Sequence, residues 1–233
     1  MLARTPEQAL QFRRLRETAI LFTLFVVPGL TSSAPITQVV GALGPLVALT
    51  IRNTAFALLV LYLLDIQGEQ RLVHRHGGEG EAFPPAVMIR VWAILLGVSL
   101  LVSAIAGAVG EGEVPVGTGS VVTTLRERYH VVIWLPAIVV AMVSVGFAEE
   151  LLFRGYFIAR IQQMGGGAPS AVLTSALLFS IGHGYQGVPA LVFSFLAGMS
   201  LGWLWVRRPH LGAFAIGHAA YNISALALAV WYS

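Results

Sequence analysis

Three short segments carry side chains that an apolar chain has little reason to hold. They are Glu149-Glu150-Leu-Leu-Phe-Arg154, Phe179-Ser-Ile-Gly-His183 and His218-Ala-Ala-Tyr-Asn222. Adjacent residues on a helix point ~100° apart, whereas residues four apart share a face. Glu150 is therefore placed to pair with Arg154, and Glu149 is turned away from that partner. A structural ion pair needs only one carboxylate, so the second is free for other work. His218 and Asn222 likewise share a face, and the alanines between them leave room for close approach. A Glu, two His and an Asn from three separate helices suit activation of water and stabilisation of an oxyanion. They also suit a metal ion held by Glu149, His183 and His218, since zinc takes three protein ligands and a water at catalytic sites. The histidines are not spaced i,i+4, so no H-E-x-x-H signature is present, and there is no G-x-S-x-G. The chain has no Cys, which excludes a thiol nucleophile and a disulfide framework.

The elements that must position these groups are membrane helices. Of 233 residues 57% are hydrophobic and only 11% charged, against ~25% charged in an ordinary soluble domain. Mean hydropathy is +0.79. Asp, Glu, Lys and Arg are absent from 18–51, 53–64, 91–110, 129–148, 161–206 and 209–233. A span needs ~20 apolar residues to cross ~30 Å of hydrocarbon. The segment 161–206 therefore holds two spans, with a break near Gly182–Pro189. No strand alternation runs through these segments, which argues against a membrane β-barrel. The expected helices cover about 18–31, 37–64, 88–109, 129–163, 169–183, 188–206 and 211–231. The 129–163 stretch exceeds one straight span and is expected to break near Gly146. The fold class is all-α: a polytopic bundle of seven or eight transmembrane helices around a buried polar site. Residues 1–128 supply N-terminal helices and loops, and 129–233 the core that carries the three segments.

All 14 basic residues are Arg. Arg4, Arg13, Arg14 and Arg16 precede the first apolar run. Its length and the lack of an A-x-A site mark a retained span instead of a cleaved signal peptide. Positive-inside counting places the N-terminus in the cytoplasm, together with Arg71, Arg75, Arg160, Arg207 and Arg208. The 110–128 loop, with Arg126 and Arg128 among Glu111, Glu113 and Glu127, falls outside. No basic groove or aromatic-interleaved patch speaks for nucleic acid. Gly77–Pro85 is the most linker-like stretch. Arg52 with Asn53 interrupts the second span, and the expectation there is pairing inside the bundle or snorkelling. Arg90 snorkels from a span start. His74, His76 and His210 read as surface residues and His130 as interfacial.

The three segments in this order resemble the CPBP family, the CAAX-type proteases and bacteriocin-processing proteins also called Abi. Its pattern is E-E-x-x-x-R, F-x-x-x-H and H-x-x-x-N/D/B on successive membrane helices. The resemblance covers about 129–231. It implies an intramembrane endopeptidase similar to the type II CAAX prenyl proteases, cutting near the C-terminus of a membrane-associated peptide or protein, prenylated or not. Glu149 with help from His183 would activate water, and His218 with Asn222 would hold the oxyanion. Glu150, Arg154 and Phe179 would support the site. No cofactor is required on this reading, Asn222 being a better oxyanion donor than zinc ligand; the alternative is Zn2+ on Glu149, His183 and His218. The expected partners are a substrate at the membrane and the bilayer itself. The Lys-free, Ala/Gly-rich chain points to a bacterial inner membrane. Two other functions stay open: a non-proteolytic scaffold or bacteriocin-immunity protein that keeps the fold, and a proton or transport pathway, which would call for repeat symmetry that the chain lacks. One geometric difficulty accompanies the shared site. His183 lies ~15 residues into its expected helix and His218 ~7 into its own, depths that differ by roughly 12 Å.

Overall fold

A computed structural model describes residues 5–31, 43–72, 83–108 and 131–232. His74, His76, His130, the 110–128 loop and most of the linker-like Gly77–Pro85 stretch lie outside these residues. Among the described residues there are seven helices and no strand: α1 (Pro6–Thr31), α2 (Leu43–Ile66), α3 (Pro85–Ala108), the long α4 (131–163), α5 (Ala168–His183), α6 (Val188–Arg207) and α7 (Leu211–Tyr232). Five of them (α2, α3, α4, α6 and α7) are long and apolar enough to cross a membrane. α1 begins at Pro6, well before the expected residue 18, and carries Arg13, Arg14, Arg16 and Glu17 inside its first half. α5 has 16 residues, short of the ~20 a full crossing needs.

Neither Arg52–Asn53 nor Gly146 breaks its helix. α2 runs unbroken through Arg52 and Asn53. Adjacent positions face different ways, so Arg52 is exposed while Asn53 is buried. α4 has no break at Gly146. It continues as α-helix over Val131–Glu149, widens to π-helix over Glu150–Phe157 and returns to α-helix over Ile158–Gln163. Gly146 serves as a packing site: a Cβ there would sit 2.7 Å from the Ala215 carbonyl oxygen and 3.4 Å from the His218 Cβ. Only a bare glycine lets α7 approach α4 this closely, the use that membrane bundles make of small residues. α5 and α6 are separated at the expected place, by a 3-10 turn over Gly184–Gln186 and by Gly187 at φ 98°, a backbone region open to glycine at little cost. Pro189 falls in the first turn of α6, where its missing N–H has no helical partner to lose.

The helices pack as α5 on α6, α4 on α7, α3 on α7 and α2 on α4. One apolar cluster joins Phe56, Ala57 and Val60 of α2 with Ala148, Leu151 and Leu152 of α4, together with Leu21 of α1 and Phe179 of α5. A second joins α3, α5, α6 and α7 around Val91, Val172, Leu201 and Phe214. A third joins Leu46 of α2, Ile138, Ala141 and Met142 of α4, and Ala219 and Leu226 of α7. Large apolar side chains also cover the outside: Ile51 is 63% exposed, and Leu58 and Leu100 are each 61% exposed. Such an outer face is costly in water and neutral against lipid. This outer face and the five apolar helices describe an integral membrane protein.

Candidate active site

The difference in helix depth between His183 and His218 does not keep them apart. Leu211, the first residue of α7, already packs against both the first and the second cluster, so α7 starts inside the bundle. His210 caps this start, its Nδ1 accepting the Ala213 N–H at 3.1 Å. It is a helix cap and not a free surface residue. His218 thereby reaches the level of Glu149 from the seventh helix, while His183 reaches it from the last residue of α5.

Glu149 stands between the two histidines. Its Oε1 lies 4.0 Å from His183 Nε2 and its Oε2 3.6 Å from His218 Nε2. The other nitrogen of each ring is engaged. His183 Nδ1 meets the Phe179 carbonyl oxygen at 2.8 Å. A carbonyl can only accept, so Nδ1 carries the proton, and Nε2 faces Glu149 with its lone pair when the ring is neutral. The Phe179 ring lies edge-on to His183, centroids 4.5 Å apart. Phe179 thus fixes both the rotamer and the tautomer of His183. His218 Nδ1 lies 2.8 Å from Glu150 Oε1, and Glu150 is paired with Arg154 at 3.2 Å. The Arg154 guanidinium also stacks over the Phe179 ring at 4.5 Å. Glu150, Arg154, Phe179 and His218 are all buried, whereas the Glu149 side chain is 12% exposed and that of His183 21%. The charges that hold the site together are sealed inside the bundle. The pair that keeps some exposure is Glu149 with His183.

The sequence spacing leads to the Glu150–Arg154 pair directly. It does not lead to the Glu150–His218 bond, which turns a helix-fixing carboxylate into the group that orients a site histidine. Asn222 lies one turn beyond His218 on α7 and is half-buried. None of the described hydrogen bonds ties it to Glu149 or to either histidine. Among the described residues, no group of three or more His, Cys, Asp or Glu side chains is arranged to hold a metal ion. The π-helical segment begins at Glu150, immediately after Glu149. Its altered bonding leaves the Phe153 carbonyl to accept the Ser175 hydroxyl proton at 2.6 Å, which ties α5 to α4 beside the site. Single π-turns recur at functional sites for this reason.

A second buried polar cluster has no counterpart in the sequence reading, which treats Arg160 as an orientation charge at a span end. Arg160 is fully buried. It pairs with Glu69 and with Glu17, the latter at 3.2 Å, and donates to Gln67 at 2.8 Å and Gln163 at 2.7 Å. Arg14 pairs with Glu69 at 3.2 Å, and the Tyr156 hydroxyl donates to Glu17 at 2.6 Å. Two arginines face two carboxylates, and the cluster fastens α1 and the end of α2 to α4. Its partners lie far apart in sequence, so spacing held no signal of it.

Residues 131–224 match the family model described as type II CAAX prenyl endopeptidase Rce1-like. No curated protein and no solved structure matches the chain. The matched segment runs from the start of α4 into α7 and contains Glu149, Glu150, Arg154, Phe179, His183, His218 and Asn222. Over this segment the chain is similar to the Rce1-like type II CAAX prenyl endopeptidases, a family of proteases.

Proposed function

We propose that the protein hydrolyses a peptide bond near the C-terminus of a membrane-associated peptide or protein, prenylated or not, with Glu149 and His183 activating the attacking water and His218 and Asn222 stabilising the oxyanion. The observation that carries this reading is the placing of Glu149 between two ring nitrogens from two other helices, while its neighbour Glu150 is occupied by Arg154 and His218. With the His183 proton on Nδ1, the carboxylate and Nε2 are both acceptors. A water between them donates one O–H to each and turns a lone pair toward the scissile carbonyl. The water oxygen bonds to that carbon, and Glu149 takes the proton. Collapse of the tetrahedral intermediate breaks the C–N bond and returns the proton to the leaving amine. His218, holding Glu150 through Nδ1, offers Nε2 to the oxyanion when it carries both ring protons. The Asn222 amide is the second donor. No cofactor enters these steps. The Arg distribution of the N-terminal half supports a cytoplasmic N-terminus, and the Lys-free composition supports a bacterial inner membrane.

The test is purified protein in liposomes with internally quenched peptides, one carrying a farnesylated Cys four residues from its C-terminus and one the unmodified twin. Wild type is expected to cleave at least one of them. Glu149→Gln is expected to lower kcat by a factor of about 100 or more, the scale of general-base catalysis. Cleavage that survives this substitution refutes the mechanism.

A further inference from the structure

The buried polar residue that the mechanism leaves unused at this level is Asn53. We infer that Asn53 is a substrate-positioning residue of the same site, its side-chain amide donating to a backbone carbonyl of the bound peptide; this rests on the endopeptidase reading above. Asn53 is 2% exposed, and its Nδ2 is buried with no hydrogen-bond partner among the described residues. An Asn inside a membrane helix normally bonds a neighbouring helix, and a buried amide without a partner is destabilising. Here the donor stays unspent.

Its position gives that donor a use. α2 and α4 run side by side in the same direction. Leu46 packs with Ile138, Ala141 and Met142, and further along Ala57 and Val60 pack with Ala148, Leu151 and Leu152. At the far end Gln67 accepts from Arg160, 93 residues later in the chain. The same offset sets Asn53 level with Gly146, which itself abuts His218 and lies one turn before Glu149. Asn53 also shares a stripe with Ala57, Val60 and Leu64, the face of α2 packed on α4. On the other side of α4 at this level packs α7, which carries His218 and Asn222. A peptide entering the bundle brings a carbonyl with every residue, and each needs a donor once water is left behind. Asn53 supplies one from the α2 side, away from the oxyanion donors.

The role separates from a structural one by its signature. Asn53→Leu removes the donor, suits the apolar stripe, and is expected to leave the melting temperature unchanged or raise it. It is expected to raise KM for the cleaved probe peptide about tenfold, the loss of one hydrogen bond, with kcat within about twofold. Asn53→Asp keeps the size and loses the donor, and is expected to raise KM at least as much. Arg52→Gln, on the exposed neighbour, is expected to match wild type. A wild-type KM in Asn53→Leu overturns the inference, and so does a loss of activity that only follows a lowered melting temperature. Binding of both probe peptides to Glu149→Gln protein, followed by fluorescence anisotropy, does not depend on turnover. If wild type cleaves neither probe, the endopeptidase reading fails while binding still decides on Asn53: tenfold weaker binding with Asn53→Leu supports it, and equal or absent binding overturns it.

Discussion

The Glu150–Arg154 pair makes a quantitative prediction. Both side chains are almost wholly buried, at 0% and 1% exposure, and they sit 3.2 Å apart. Arg154→Met keeps the bulk and removes the cation, so Glu150 is left as a buried carboxylate. Removing one partner of such a pair costs ~3–5 kcal/mol. Losing the guanidinium over the Phe179 ring adds ~0.5–2 kcal/mol. His218 still lies 2.8 Å from Glu150 and offsets part of this, which brings the expectation to ~3–4 kcal/mol. For a chain of this size that is a fall in Tm of roughly 6–16 °C. In Glu150→Gln/Arg154→Met no charge is left without a partner, and the new side-chain amide on α4 still reaches His218. The double variant is therefore expected to recover ~2 kcal/mol relative to Arg154→Met alone, a coupling outside additivity. Tryptophan-monitored melting in one detergent, with all four proteins at equal concentration, measures the cycle. An Arg154→Met protein that melts with wild type, or a double variant that equals the sum of the singles, refutes the claim that the two charges stabilise the bundle only as a pair.

Two further substitutions probe the scaffold. Gly146→Val drives a side chain into backbone atoms of α7; overpacking of this kind costs ~1–3 kcal/mol, and cleavage of the probe peptide is expected to vanish because His218 moves away from Glu149. Gly97→Ala, where a Cβ meets nothing within 4 Å, is the control expected to match wild type. Arg160→Met leaves Glu69 with Arg14 and takes from Glu17 its arginine partner, so α1 is expected to loosen, seen as faster amide exchange confined to α1 and the end of α2; unchanged exchange there would show that the apolar contacts of Leu21 hold α1 without the ion pairs.

How much of this is legible in the sequence depends on the separation of the partners. Glu150 and Arg154 are four residues apart on one helix, so their pairing follows from helix geometry alone. The separation of α5 from α6 is legible because Gly187 and Pro189 are local signals. The convergence of Glu149, His183 and His218 is legible only as an inventory of side chains that an apolar chain would otherwise exclude. What joins them, the early entry of α7 beside α4, depends on Gly146 facing Ala215, and neither residue announces its partner. The π-helical segment has no sequence mark either. It is held from outside, by Ser175 of α5 on the Phe153 carbonyl. Arg160 is illegible for a different reason: a charge near a span end looks the same whether it points to water or to carboxylates from α1 and the end of α2.

The charges of α4 set out the logic of the site. Between residues 149 and 160 this one helix carries Glu149, Glu150, Arg154 and Arg160. In a low-dielectric interior an unpaired charge either is removed or has a task. Glu150 is balanced by Arg154, and Arg160 by Glu17 and Glu69, which Arg14 shares. Among the described residues Glu149 alone of the four has no arginine partner; its neighbours are the two histidines. It is also the more exposed carboxylate of the Glu149–Glu150 pair, 12% against 0%. A bundle selected only for stability would have paired or replaced it. The geometry instead pairs every other charge on the helix and leaves this one carboxylate to the two histidines.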